Sequence, residues 1–184
     1  MNNIWGSVYT FYFTVEQSGD VSIHFSLLSE QGVLEDFYYG TGWNEPMQYS
    51  RVSPNLRHYW GNGDVFPGRH NSLSGRFYSY VKAPHTGAYN ISMQFNSGSI
   101  FRFGSDIDLN LLQASSVILY SDFVVYLEAD EYYEFTIDFI EGTGTARMVI
   151  FWELPSVIPK EVIPTTYYYS PEHVLTDPIQ ISVE

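Results

Sequence analysis

The chain has 184 residues, 8 of them basic and 21 acidic, for a net charge of −13, and it contains no cysteine. So acidic a surface repels nucleic acid and anionic membranes, and the missing cysteine excludes disulfides, thiol catalysis and cysteine-held metals. No apolar run reaches the ~18 residues of a membrane span, so no membrane insertion is expected, whereas aromatics at 18% suit pleated, half-buried strands.

The start, MNNIWGSVYTF, has neither the basic nor the apolar region of a secretory signal peptide. Residues 8–15 and 21–28 both alternate apolar with polar positions, and Ser18-Gly19-Asp20 between them predicts a hairpin. A further strand is predicted from GVLEDFYYG. Residues 40–75, rich in Gly, Pro, Asn and Ser, read as a long loop region with short elements, and ordered loops of that length often carry function. Strands return from Gly75. Tyr89, Ile91, Met93 and Phe95 share one face, and the polar turn Asn96-Ser97-Gly98-Ser99 reads as the bend of a hairpin whose second arm is SIFRFG. DIDLNLLQASS is the best helical candidate. SSVILY, DFVVYLEA, EYYEFTIDFIEG and ARMVIFWEL follow as strands. In the third of these, Tyr133, Phe135, Ile137 and Phe139 alternate with Glu134, Thr136 and Asp138, one face buried and the other wet. The proline-rich tail is extended, edge or linker material. Together these elements predict an all-β protein, an antiparallel twisted β-sandwich or barrel with long loops.

The order of several motifs resembles a known family. Lys82-Ala83-Pro84 leads into Thr86-Gly87-Ala88-Tyr89. A later aromatic and acidic strand passes through Glu141, Gly142, Gly144 and Ala146 into an apolar strand that ends at Trp152 and Pro155, and Gly32-Val33-Leu34 with Tyr38-Tyr39 fits its start. These features resemble the protective-antigen-type (PA-14 kDa) domain of flocculins and bacterial adhesins over residues 32–169, which implies a twisted β-sandwich. Residues 1–31 are similar to the closing hairpin of a filamin-like or immunoglobulin-like repeat. They are either the end of a preceding module or extra strands on the sandwich, and residues 170–184 are a tail, a linker or the start of a next module.

The resemblance also implies where a ligand would sit. Lectin members hold calcium with two adjacent aspartates in a turn after the Thr-Gly-x-Tyr strand, and the ion grips sugar hydroxyls. Counting from Thr86, those positions fall on Asn96 and Ser97, with the glycine at Gly98. Calcium wants six to eight hard oxygens and gains from ligand charge, so no metal site is expected here. Asp106 and Asp108 are the weak candidates for compensation, and their plainer reading is a solvated loop. In RHYWGNGD, Tyr59, Trp60, Asn62 and Asp64 combine rings with short polar groups and suit a sugar or a protein, against a reading in which the rings pack inward.

Other patterns carry little chemistry. Gly142-Thr143-Gly144-Thr145 is a hairpin turn by the resemblance, not a phosphate cradle, because a strand follows it. The five histidines, His24, His58, His70, His85 and His173, lack metal spacing and read as isolated surface or loop residues. Nothing groups a nucleophile with a base. Residues 128–131 read as a turn, so their carboxylates line no cleft. Asn90-Ile91-Ser92 is a glycosylation sequon. The expectation is a non-catalytic binding or adhesion module at the cell surface or outside the cell, without cofactor. Its partner is a glycan or a protein, alongside neighbouring domains of its own chain. The alternative is a spacer in a structural array, which could be intracellular.

Overall fold

Alternating residues become strands along nearly all of the described chain. A computed structural model of the protein describes residues 19–23, 28–30, 32–43, 45–96, 98–104, 107–111, 118–171 and 179–183. The strands are β1 (Gly19–Ile23), β2 (Leu28–Glu30), β3 (Val33–Tyr39), β4 (Met47–Ser53), β5 (Arg57–Gly61), β6 (Leu73–Lys82), β7 (Gly87–Phe95), β8 (Gly98–Phe103), β9 (Ile107–Leu111), β10 (Leu119–Leu127), β11 (Tyr132–Glu141), β12 (Ala146–Leu154), β13 (Ile158–Val162), β14 (Tyr168–Pro171) and β15 (Ile179–Val183). One short 3-10 turn, Thr165–Tyr167, precedes β14.

The chain divides into two compact units. One is Leu27–Glu172 and the other joins Met1–Ser26 with His173–Glu184. In the second, β1 pairs antiparallel with β15 from Gly19 opposite Val183 to Ile23 opposite Ile179. The first holds an eight-stranded sheet, ordered β2-β14-β6-β11-β8-β9 with β3 beside β6 and β4 beside β3. It also holds a five-stranded sheet, ordered β10-β7-β12-β13 with β5 beside β12. Every pairing is antiparallel. The sheets stay open, so the fold is a sandwich and not a closed barrel. Phe77, Phe101, Phe135, Ile137 and Phe139 of the larger sheet and Tyr89, Ile91, Met93, Phe95, Ile150 and Trp152 of the smaller are buried in one core. Such facing layers are what two one-sidedly apolar sheets produce.

The motif residues have separate physical jobs. Thr86 Oγ1 accepts the Ala129 amide at 2.9 Å. A side chain at Gly87 would place its Cβ 2.7 Å from Leu154 Cδ1, so the residue lets β7 pass close to β12. Buried Tyr89 donates its hydroxyl to the His85 carbonyl at 2.9 Å and packs on Trp152 at 5.5 Å between ring centroids. Trp152 in turn donates to Glu161 at 3.2 Å, as a buried indole requires. The Ala83 carbonyl accepts the Asp130 amide at 2.8 Å, which ties the 128–131 turn to the end of β6.

Four sequence expectations are corrected. The Asn96–Ser99 bend is not a hairpin, because β7 belongs to the five-stranded sheet and β8 to the eight-stranded one. The Gly142–Thr145 link likewise crosses from β11 to β12 between sheets. A hairpin and a crossing demand the same alternation in both arms, so periodicity does not separate them. The helical candidate begins with β9, paired to β8 from Ile107 opposite Phe103 to Leu111 opposite Ser99, so Asp108 lies in a strand and not in a loop. Gly19 and Asp20 stand inside β1 and not in a turn, while residues 8–15 lie outside the described residues. Residues 40–75, read as a loop region with short elements, hold β4, β5 and the start of β6 with loop between them. Their prolines, and their glycines apart from Gly61 in β5 and Gly75 in β6, sit between strands.

Candidate functional site

β5 places its side chains alternately inside and outside the sandwich. His58 and Trp60 point inward, their rings stacked at 4.5 Å, and Trp60 packs on core Phe139 at 5.6 Å. Arg57 and Tyr59 point outward, and Tyr59 is 52% exposed. Of the predicted ring pair, then, only Tyr59 is available to a ligand.

Opposite Tyr59, the ladder brings Arg147 of β12. Its guanidinium carbon lies 4.4 Å from the Tyr59 ring centroid, and its Nη2 donates to Gln94 Oε1 at 2.5 Å. Arg57 lies over the same ring at 5.8 Å. At the end of β7, Asn96 is 5% exposed. Its Nδ2 donates to the Thr145 carbonyl and, at 2.6 Å, to Thr145 Oγ1. The two inter-sheet crossings are thereby bonded side by side. Their proximity forms a pocket of about 350 Å³ lined by Tyr59, Gly61, Asn96, Ile118, Thr145 and Arg147, among others. Gly61 has φ +59, a conformation that favours glycine, and nothing lies within 4 Å of where its Cβ would stand. A side chain there would be strained.

Two buried polar atoms of the lining residues lack partners: Asn96 Oδ1 and Arg147 Nε. Each keeps unspent hydrogen-bonding capacity, which a protein interior rarely leaves. The described lining offers calcium no carboxylate and places a guanidinium beside the pocket, so these residues do not fit the calcium site that the resemblance implies. Among the described residues no three of His, Cys, Asp or Glu group as metal ligands. Ser97 and Asp106 lie outside the described residues, as does the side chain of Asp108.

The remaining predicted residues are elsewhere. Asn62 is exposed in the turn after β5 and does not line the pocket. Asp64 Oδ2 accepts the Gly68 amide at 2.9 Å, and its other oxygen lies 3.6 Å from His70, so it organises its own loop. Asn90 of the sequon lies mid-strand and donates to Glu153 at 3.1 Å. Arg147, Thr145 and Gly61 were not singled out by sequence. Alternation in β12 puts Arg147 on the wet face, but only the pairing to β5 shows what it meets.

A second cluster was invisible to sequence. Glu35, in β3, is fully buried. Arg51 Nε donates to its Oε2 at 2.6 Å and His58 Nε2 to its Oε1 at 2.5 Å. His58 is therefore a structural ligand of a buried carboxylate and not an isolated surface or loop histidine. Asp36 accepts from Ser50 Oγ at 2.6 Å. His24 and His173 lie outside the described residues.

No protein-family model matches the chain, and no curated protein matches it. Solved structures do. An anti-sigma factor domain-containing protein aligns at TM-score 0.73 and 18% identity, over 80% of this chain and 51% of its own. The PA14 domain of MpAFP antifreeze protein aligns at TM-score 0.60 and 9% identity, over 90% of this chain and 100% of its own. The epithelial adhesin 9 A domain from Candida glabrata, solved with Galb1-3GlcNAc, aligns at TM-score 0.59 and 12% identity, over 81% and 93%. The chain thus spans about half the length of the first of these. At such identities the likeness shows the fold, which is PA14-like.

Proposed function

We propose that the sandwich is a non-catalytic glycan-recognition and adhesion module of a larger surface protein, working without calcium. The observation that carries this reading is the pocket between the β5 end and the two sheet crossings. It unites an exposed ring, a partly bonded amide and a guanidinium at the turn where the resemblance puts the sugar-holding loop. Sugars are bound by such combinations of ring faces and convergent polar groups. The adhesin structure solved with Galb1-3GlcNAc supports the reading. A glycan array with calcium and with chelator tests it. Binding should be unchanged by the chelator and weakened about thirtyfold by Tyr59→Ala; silence across the array would sink it.

A second reading rests on the separate unit in which β1 and β15 pair. It makes the sandwich one element of a multi-domain assembly that contacts protein neighbours. Scattering from a longer piece of the parent chain tests it: a fixed inter-domain arrangement supports it, and freely tumbling units count against it.

A further inference from the structure

The protein has 8 basic residues and 21 acidic ones, so carboxylates are not in short supply for its arginines. Arg51 pairs with Glu35, Arg76 and Arg102 share Asp138, Lys82 holds Asp130, and Lys160 lies 3.9 Å from Asp122. Among the described residues, Arg57, Arg69 and Arg147 have no such partner; Arg69 donates to the Ser72 carbonyl and lies over Tyr39 at 4.9 Å, whereas Arg57 and Arg147 both lie over the Tyr59 ring, at 5.8 and 4.4 Å. Two like charges are therefore gathered on one aromatic ring at the pocket rim. Cation–π contact offsets part of this arrangement, but it leaves the guanidinium charge un-neutralised. Arg147 Nε is buried and unpartnered, and so is Asn96 Oδ1 of the same lining.

We propose that this pocket recognises an acidic sugar, a pyranose bearing a carboxylate, with Arg147 as the anion-binding group, Arg57 as its electrostatic support, and Asn96 and Thr145 facing sugar hydroxyls. The inference rests on the glycan-binding reading above and specifies its ligand class. Guanidinium is suited to carboxylate because its planar donors match the two oxygens. It replaces the bridging metal of the calcium lectins with a fixed cation of the chain itself. The volume, about 350 Å³, lies at the small end of the range for ligand sites, which suits one or two sugar rings. The net charge of −13 repels extended polyanions, so the ligand is a terminal, singly charged sugar and not a densely charged polymer.

The test uses the whole 184-residue chain in chelator and compares three forms of one oligosaccharide: ending in a uronic or sialic acid, the same with its carboxyl reduced to an alcohol, and a sulfated counterpart. The carboxylated form should bind about tenfold or more tighter than the reduced form, the scale of one charge-assisted hydrogen-bonded pair. Arg147→Gln should abolish that preference while leaving weak binding to the reduced form, and Arg57→Gln should diminish it. Arg147→Lys, which keeps charge without the fork, should restore part, and Lys160→Gln should change nothing. Each variant is first shown to unfold at the wild-type temperature. Equal affinity for acid and reduced forms, or preference for the sulfated form alone, would overturn the carboxylate assignment while leaving glycan recognition standing. No binding of any form would overturn both.

Discussion

On the inner face of β5, His58 and, from β4, Arg51 converge on Glu35, so that a fully buried charge has both oxygens engaged. On the outer face, Arg57 and Arg147 gather on Tyr59 with no carboxylate among the described residues. One strand thus serves two opposite electrostatic settings. The inner cluster is closed, with each partner consumed by the fold. The outer one is open, because Arg147 Nε and the Asn96 carbonyl oxygen lack partners. The difference separates residues that hold the sandwich together from residues left free to meet something else.

The comparison can be broken first at Glu35. Arg51→Met should cost about 3 kcal/mol in urea unfolding, because one partner of a buried charge is removed. The double variant Glu35→Leu/Arg51→Met should recover part of that loss, since no charge is then stranded. An unchanged midpoint in the single variant would show that the inner cluster is not a closed one.

Trp60→Ala should cost about 2–3 kcal/mol, a little less than emptying a wholly buried aromatic site, because Trp60 is only partly buried against the core. A loss as small as that expected for an exposed side chain would show that both faces of β5 are open.

Wholly and partly buried phenols supply a pH-dependent contrast. Burial, as the largest cause, pushes the hydroxyls of Tyr38, Tyr78, Tyr89 and Tyr168 above their ordinary value of 10. In the unfolded chain these phenols lose protons near pH 10 while the folded chain keeps them, so the native state binds more protons there. The stability these phenols supply should be level below pH 10 and then fall. Fully buried Tyr168 alone contributes about 1.4 kcal/mol per pH unit while it stays protonated. Urea melts across the alkaline range check this, and Tyr168→Phe should make the decline shallower. A flat profile would contradict the burial of these rings.

The smallest effect is expected outside. Tyr59→Ala should change stability by no more than about 0.5 kcal/mol, as at most exposed positions, while weakening the proposed glycan binding about thirtyfold. A loss equal to that of Trp60→Ala would mean that Tyr59 serves the fold after all.

Strand identity was legible in the sequence because side chains on a strand alternate, and burial acts on every second residue. Tyr89, Ile91, Met93 and Phe95 on β7, and Phe135, Ile137 and Phe139 on β11, followed directly from that period. The motif order around Thr86, Gly87 and Trp152 brought the sandwich and the position of the Asn96 turn. What alternation cannot encode is which strand becomes whose neighbour. The two crossings, the pairing of Arg147 to Tyr59, and the meeting of Glu35 with His58 across 23 residues of chain all depend on sheet assignment. That assignment is fixed only when two apolar faces close on each other and every backbone group in between finds a partner. Period-two chemistry therefore determined what each residue could be, an inward ring or an outward charge. The tertiary packing alone decided which of those charges were matched and which were left facing the pocket.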